Sequence, residues 1–128
     1  MKENIKLAFE EPDFRINHKK ERVRCILNFS LKGDQKVLQM LSAFYQITKD
    51  PLDRTVVVDV KPSNGDAFCV DTGMKVARAR AEKLAYRRVA KFLQRYEALN
   101  IEAYKLIDGF LDKAESTIEH NDKYLKQF

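Results

Sequence analysis

At 128 residues, with 45% hydrophobic side chains, the chain has the length of one ordinary domain and too much apolar content for a disordered one. Cys25 and Cys69 are too few for a disulfide scaffold or a four-ligand zinc site. No apolar run approaches the ~20 residues that cross a bilayer, and MKENIKLAFEEPDF carries acids where a signal peptide is apolar, so a soluble, cytoplasmic protein without membrane contact is expected.

The first half reads as strands. Ile5, Leu7 and Phe9 alternate with Lys6 and Ala8, and Phe14 and Ile16 alternate with Asp13 and Arg15. In RVRCILNFSLK, Val23, Cys25, Leu27, Phe29 and Leu31 share one face, which predicts a strand with a buried and a wetter side. The polar segment 17–21 suits a hairpin connection. Gly33 and Asp34 end that strand, and Asp34 is placed to cap a helix in which Val37, Leu38, Leu41, Phe44 and Tyr45 recur at helical spacing. A strand through 43–48 is the alternative there. Pro51 and Asp53 mark a turn, and TVVVDVK at 55–61 is a second β-branched strand. A turn over 62–66 centred on Asn64 and Gly65 follows, then a short strand at 67–70.

From Gly73 the chain reads as helix to about Tyr96, capped by Asp71 or Thr72 and rich in Ala, Leu, Arg and Lys. Its inner stripe is Ala77, Ala81, Leu84, Ala85, Val89, Phe92 and Tyr96. Asn100 is placed to close that helix or cap a second one reaching the C-terminus, despite Gly109. The expected architecture is therefore α+β in one domain over 1–128. An antiparallel sheet comes from residues 1–72, and two long helices form a hairpin over 73–128.

The charge distribution is more informative than the net +5. Residues 73–99 hold eight basic groups against two acids, residues 100–128 four lysines against six acids, and residues 1–72 twelve basic against eleven acidic groups. Arg80, Lys83, Arg87 and Lys91 recur at helical spacing, with Arg95 continuing the edge. Such a row suits phosphates, whose charge dominates nucleic-acid affinity. The competing expectation is a solvated face, partly ion-paired to Glu102, Asp108, Asp112, Glu115, Glu119 and Asp122 on an antiparallel neighbour. A second pattern, Tyr104, Ile107, Leu111, Ala114, Ile118, Asn121, Leu125 and Phe128, keeps the 3-4 spacing of a coiled-coil seam. It predicts either packing on the neighbouring helix or a contact with a second copy or a host protein.

Catalytic constellations are not found: His18 and His120 stand alone, and no HExxH, GxSxG, Walker A or GxGxxG pattern occurs. Cys25 is expected as a small buried hydrophobe and Cys69 as structural. Asp66 and Asp71 read as turn and cap residues. No enzyme, metal or cofactor is expected. The leading function is a binding module for nucleic acid or a phosphorylated small ligand. The alternative is a protein–protein adaptor or inhibitor acting through Tyr104, Ile107, Leu111, Ile118 and Leu125, with a homodimer as one form.

The stretch TVVVDVKPSNGDAFCVDTGMKVARARA resembles a pattern in small phage and mobile-element proteins of uncharacterised function. Thr55, Val56 and Val57 match its strand, Asp66 and Phe68 its Asp-x-Phe element, and Gly73, Ala77, Arg80 and Ala81 its helix. The match covers about a fifth of the chain. Cys69 departs from it, standing where an acid is more usual, and residues 100–128 are additional to it. The resemblance implies a viral or element-borne accessory protein and supplies no activity or site. In this reading Phe68 pins the short strand to the core and Gly73 permits tight entry into the helix.

Overall fold

The computed structural model describes residues 5–49, 52–63 and 65–128. Its elements are β1 (Lys6–Phe9), β2 (Asp13–Asn17), β3 (Arg22–Lys32), α1 (Gln35–Thr48), β4 (Thr55–Val60) and α2 (Val70–Leu125). The chain divides into two compact units, Met1–Phe92 and Leu93–Phe128.

In the first unit β3 is the central strand, and β1, β2 and β4 all pair with it antiparallel. The Glu10 amide donates to the Asn28 carbonyl and the Phe29 amide to the Arg54 carbonyl. Adjacent residues of a strand turn their backbone groups to opposite edges, so β1 and β4 flank β3 on different sides. β2 pairs with the same stretch of β3 as β4 and so shares the β1 edge. Phe9 lies opposite Phe29 and Asp13 opposite Ile26. Three residues, Glu10, Glu11 and Pro12, thus span the interval that Leu27 and Asn28 fill on β3. That extra residue is a bulge, a place where a proline without an N–H is tolerated. It also explains why the apolar phase switches from odd numbers in β1 to even numbers in β2.

The inner face of the sheet carries Val23, Cys25, Leu27, Phe29, Val56 and Val60, all buried. The α2 residues Ala77, Ala81, Ala85, Val89 and Phe92 are buried as well. Small side chains let the helix backbone approach the sheet, and at Gly73 that approach is tight. A Cβ on Gly73 would stand 2.7 Å from Val23 Cγ2. Phe9 meets Phe29 and Tyr86 edge to face, and Phe44 meets Phe92 in the same way at 5.5 Å between ring centroids. The stripe expected from the sequence is therefore the buried one, with Leu84 and Tyr96 at its half-buried margins.

Residues 35–48 are helical, which resolves the helix-or-strand alternative. Asp34 Oδ1 accepts from the Lys36 and Val37 amides, and Lys49 closes the helix in the left-handed region at φ 53°. The Asp53 carboxylate accepts from the Thr55 amide at the start of β4. The turn residues Pro51 and Asn64 lie outside the described residues.

Several expectations are corrected. The C-terminal half is one helix, not a hairpin of two. Between Tyr96 and Ile101 stand Glu97, Ala98, Leu99 and Asn100, none of which breaks a helix, and the Asn100 side chain donates from Nδ2 to the Tyr96 carbonyl one turn back. That bond keeps Asn100 inside the helix, where asparagine costs only a few tenths of a kcal/mol to about 0.7 relative to alanine. The helix also begins earlier, at Val70, so residues 67–70 form no strand. Cys69 precedes the first turn, its carbonyl accepting from the Gly73 amide, and neither Asp71 nor Thr72 occupies the cap position. Phe68, half-buried, lies edge-on to His18 instead of anchoring a strand.

The second unit is helical through Leu125. Every residue from Ile101 to Phe128 except Ala114 is exposed. No helix among the described residues is long and apolar enough to cross a membrane.

Candidate anionic-ligand site

Arg80, Lys83, Arg87 and Lys91 project from the exposed side of α2 in the first unit. They span about 16 Å of helix axis at 1.5 Å per residue and fall within roughly 80° of its circumference. The buried stripe centred on Ala81 and Ala85 lies well round the helix from them, so burying the alanines turns the cations to solvent. Arg95 belongs to the second unit. It continues the row by the same four-residue step, but it lies beyond the boundary of the first unit at Phe92.

Two other basic residues of this segment, Arg88 and Arg78, are engaged within the protein. Arg88 donates from Nη1 to the Thr55 carbonyl at 2.7 Å and stands 3.7 Å from Asp53 Oδ2, tying α2 to β4. Arg78 is bonded to Glu82 at 3.2 Å, one turn along the helix. Arg80, Lys83, Arg87 and Lys91 have no acidic partner among the described residues. The reason is in the sequence: no Asp or Glu stands three or four positions from any of them. The expected acidic neighbour is also gone, because the helix runs through Asn100 without turning back. Instead the row stacks like charges at spacings of three, four and four. Each such contact costs about 0.2–0.5 kcal/mol, a repulsion that a bound polyanion relieves.

Arg80 also walls a cleft of about 430 Å³ together with Lys61, Ser63, Phe68, Cys69 and Thr72. Here the Cys69 thiol accepts from the Thr72 hydroxyl at 3.4 Å. That bond, with the Thr72 and Asp71 amides of the first helical turn, pulls its pKa below the ordinary thiol value. Cys25 is opposite in every respect: fully buried on β3, with a pKa raised by desolvation. No group of three or more His, Cys, Asp or Glu among the described residues is placed to hold a metal ion.

The seam residues Tyr104, Ile107, Leu111, Ile118 and Leu125 all lie on α2 in the second unit, between 51% and 66% exposed. Their spacing survives in the structure, but the neighbouring helix expected to cover them does not exist.

One basic cluster escaped the segment-by-segment charge count. Arg15, Lys19, Lys20, Arg22 and Arg24 fall within ten residues, but the acids at positions 3, 10, 11 and 13 mask them when residues 1–72 are summed. The run HKKERVR was the signal available. No family model, curated protein or solved structure matches the chain, so the functional reading rests on these residues.

Proposed function

We propose that this protein is a non-enzymatic binding module, of the accessory kind found in phages and mobile elements, whose α2 row Arg80, Lys83, Arg87 and Lys91 binds phosphates of a nucleic acid. The observation that carries this reading is the combination of exposure, absence of acidic partners and uncompensated like-charge stacking along three helical turns. A helix that only needed solubility would interleave glutamates at i, i+4, as α2 itself does at Arg78 and Glu82. A nucleotide or other phosphorylated small ligand is the narrower version of the same chemistry.

Salt dependence tests it. Four phosphate contacts to duplex DNA give a slope of log affinity against log salt near −3.6, from ~0.9 per contact. Arg87→Gln/Lys91→Gln is expected to shallow the slope by about 1.8 and to weaken unrelated sequences equally, since phosphate contacts position without specifying. An unchanged slope in that variant, or no measurable binding at low salt, rejects the proposal.

A second reading is favoured by the exposed seam of the second unit: an adaptor or inhibitor that docks a protein, or a second copy, on Tyr104, Ile107, Leu111, Ile118 and Leu125. An apolar stripe of this length, broken only by Asn121 and left in water, is a recurrent mark of partner binding.

A further inference from the structure

The outer face of the sheet, away from the buried α2 stripe, carries a cleft of about 610 Å³ lined by Arg15, Asn17, His18, Lys19, Lys20, Arg22, Arg24 and Asp59 among others. The register builds it. Arg15 lies opposite Arg24, Arg24 opposite Asp59, and Asn17 opposite Arg22. On β3, Arg22 and Arg24 alternate with the buried Val23 and Cys25, and their partners across the sheet share the same solvent side. The β2–β3 turn closes one end. Its conformation is held by the Asn17 side chain, which accepts from the Lys20 amide, and by Glu21 in the left-handed region at φ 51°.

The cations of this cleft are not equivalent. Arg24 is spent on Asp59, donating from Nε and Nη2 at 2.8 and 3.1 Å, and the same pair holds the Asp59 carboxyl below the usual range. Arg15 has Asp13 at 3.6 Å. Lys19 and Lys20 form no ion pair among the described residues, and Arg22 forms no direct one, though its charge lies close enough to Asp59 to help lower that carboxyl's pKa. Arg22 is the telling one, because its Nε is shut off from solvent and has no hydrogen-bond acceptor. A guanidinium nitrogen in that state costs the fold the desolvation of a charged donor without return. Closed to water, that nitrogen fixes the side chain rather than meeting a ligand, and it is the terminal guanidinium nitrogens whose fork matches two oxygens of a phosphate.

We infer that this cleft is a second anion site, independent of the α2 row, in which Arg22, Lys19 and Lys20 bind a phosphate group. Three cations outside any direct ion pair, only Arg22 feeling the Asp59 charge, suit a group carrying two or more negative charges better than a single carboxylate. The same chemistry is offered by a nucleoside diphosphate and by a nucleic-acid backbone.

The experiment is an NMR titration of the 15N-labelled full chain with inorganic pyrophosphate at constant ionic strength, following the Arg22 Nε–Hε signal and the amides of residues 18–21. Saturable shifts at these positions are expected. Arg22→Gln is expected to weaken binding by about tenfold, as loss of one charge-assisted hydrogen bond does. Lys19→Gln/Lys20→Gln serves as the companion variant, since both side chains stand on the exposed turn and support no buried group. Arg87→Gln/Lys91→Gln leaves these shifts intact if the two sites are independent, which separates this outcome from failure of the α2 row. Parallel titrations with thymidine diphosphate and with a short DNA duplex identify the source. Movement of the hairpin signals by the diphosphate alone assigns a free nucleotide, and movement by the duplex assigns a backbone. Shifts confined to α2, or equal pyrophosphate affinity in wild type and both cleft variants, overturn the inference.

Discussion

Gly73 and Gly109 both sit inside α2, and their surroundings give the same substitution opposite signs. Gly109 has nothing within 4 Å of the position a Cβ would take, so Gly109→Ala is expected to gain about 1 kcal/mol of helix stability from propensity alone. Gly73→Ala gains the same propensity but drives a methyl to 2.7 Å from Val23 Cγ2. Val23 is fully buried and stiff at χ1, so it has nowhere to retreat. Overpacking of this kind costs about 1–3 kcal/mol, and a net loss is expected. In a Val23→Ala background the clash with Cγ2 is absent, and Gly73→Ala is expected to stabilise relative to that background. Chemical denaturation of the four proteins in the Gly73/Val23 cycle measures the coupling directly. A Gly73→Ala protein as stable as wild type would mean that α2 does not approach β3 this closely. From the sequence Gly73 reads as a tight entry into the helix; the helix instead starts at Val70 and Gly73 meets Val23, a contact not legible locally because Val23 is fifty residues away and its register against the helix is a tertiary fact.

At the scale of elements, legibility followed local period. β3 and β4 were readable because their alternation is strict, and α1 because Asp34 supplies a cap beside a helical repeat. The alanine stripe of α2 was readable for the same reason. The bulge at Pro12 was latent in the phase switch between Phe9 and Phe14. What misled was Asn100, a residue common at helix ends whose side chain here bonds back into its own helix. With no proline or glycine near it, propensity and continuity outweighed the capping signal. The consequence reaches both candidate sites, since one helix in place of two removes the acidic partner from the basic row and the covering partner from the seam. Leu111 and Ile118 are 55% and 61% exposed, so Leu111→Asp or Ile118→Asp buries no charge within the chain. Both variants are expected to retain the wild-type thermal transition of the first unit by circular dichroism. Light scattering on the same samples reads the seam itself. A wild-type dimer that becomes a monomer in either variant places the seam between two copies, whereas a wild type monomeric at micromolar concentration removes the homodimer.

For the molecule as a whole, the hydrophobic core and the charge are distributed unevenly along the chain. Every buried apolar residue, from Val23 to Phe92, belongs to the first unit. The segment 97–128 contributes none of that core, yet it holds seven acidic and four basic residues. A chain ending at Tyr96 is therefore expected to keep a single cooperative unfolding transition within a few degrees of wild type, on the scale of ~1 kcal/mol for a domain this size, while its helical signal falls. The truncation also raises the net positive charge. The field of the whole protein governs encounter with a polyanion, whereas the number of neutralised phosphates governs the salt slope. If Arg80, Lys83, Arg87 and Lys91 make the contacts, the shortened chain binds duplex DNA at least as tightly as the full chain at low salt and with the same slope near −3.6. Fluorescence anisotropy across a salt series, run on both chains with one labelled duplex, measures both quantities. A truncated protein that folds but no longer binds would move the nucleic-acid contact into the second unit and reject the α2 row as its principal surface.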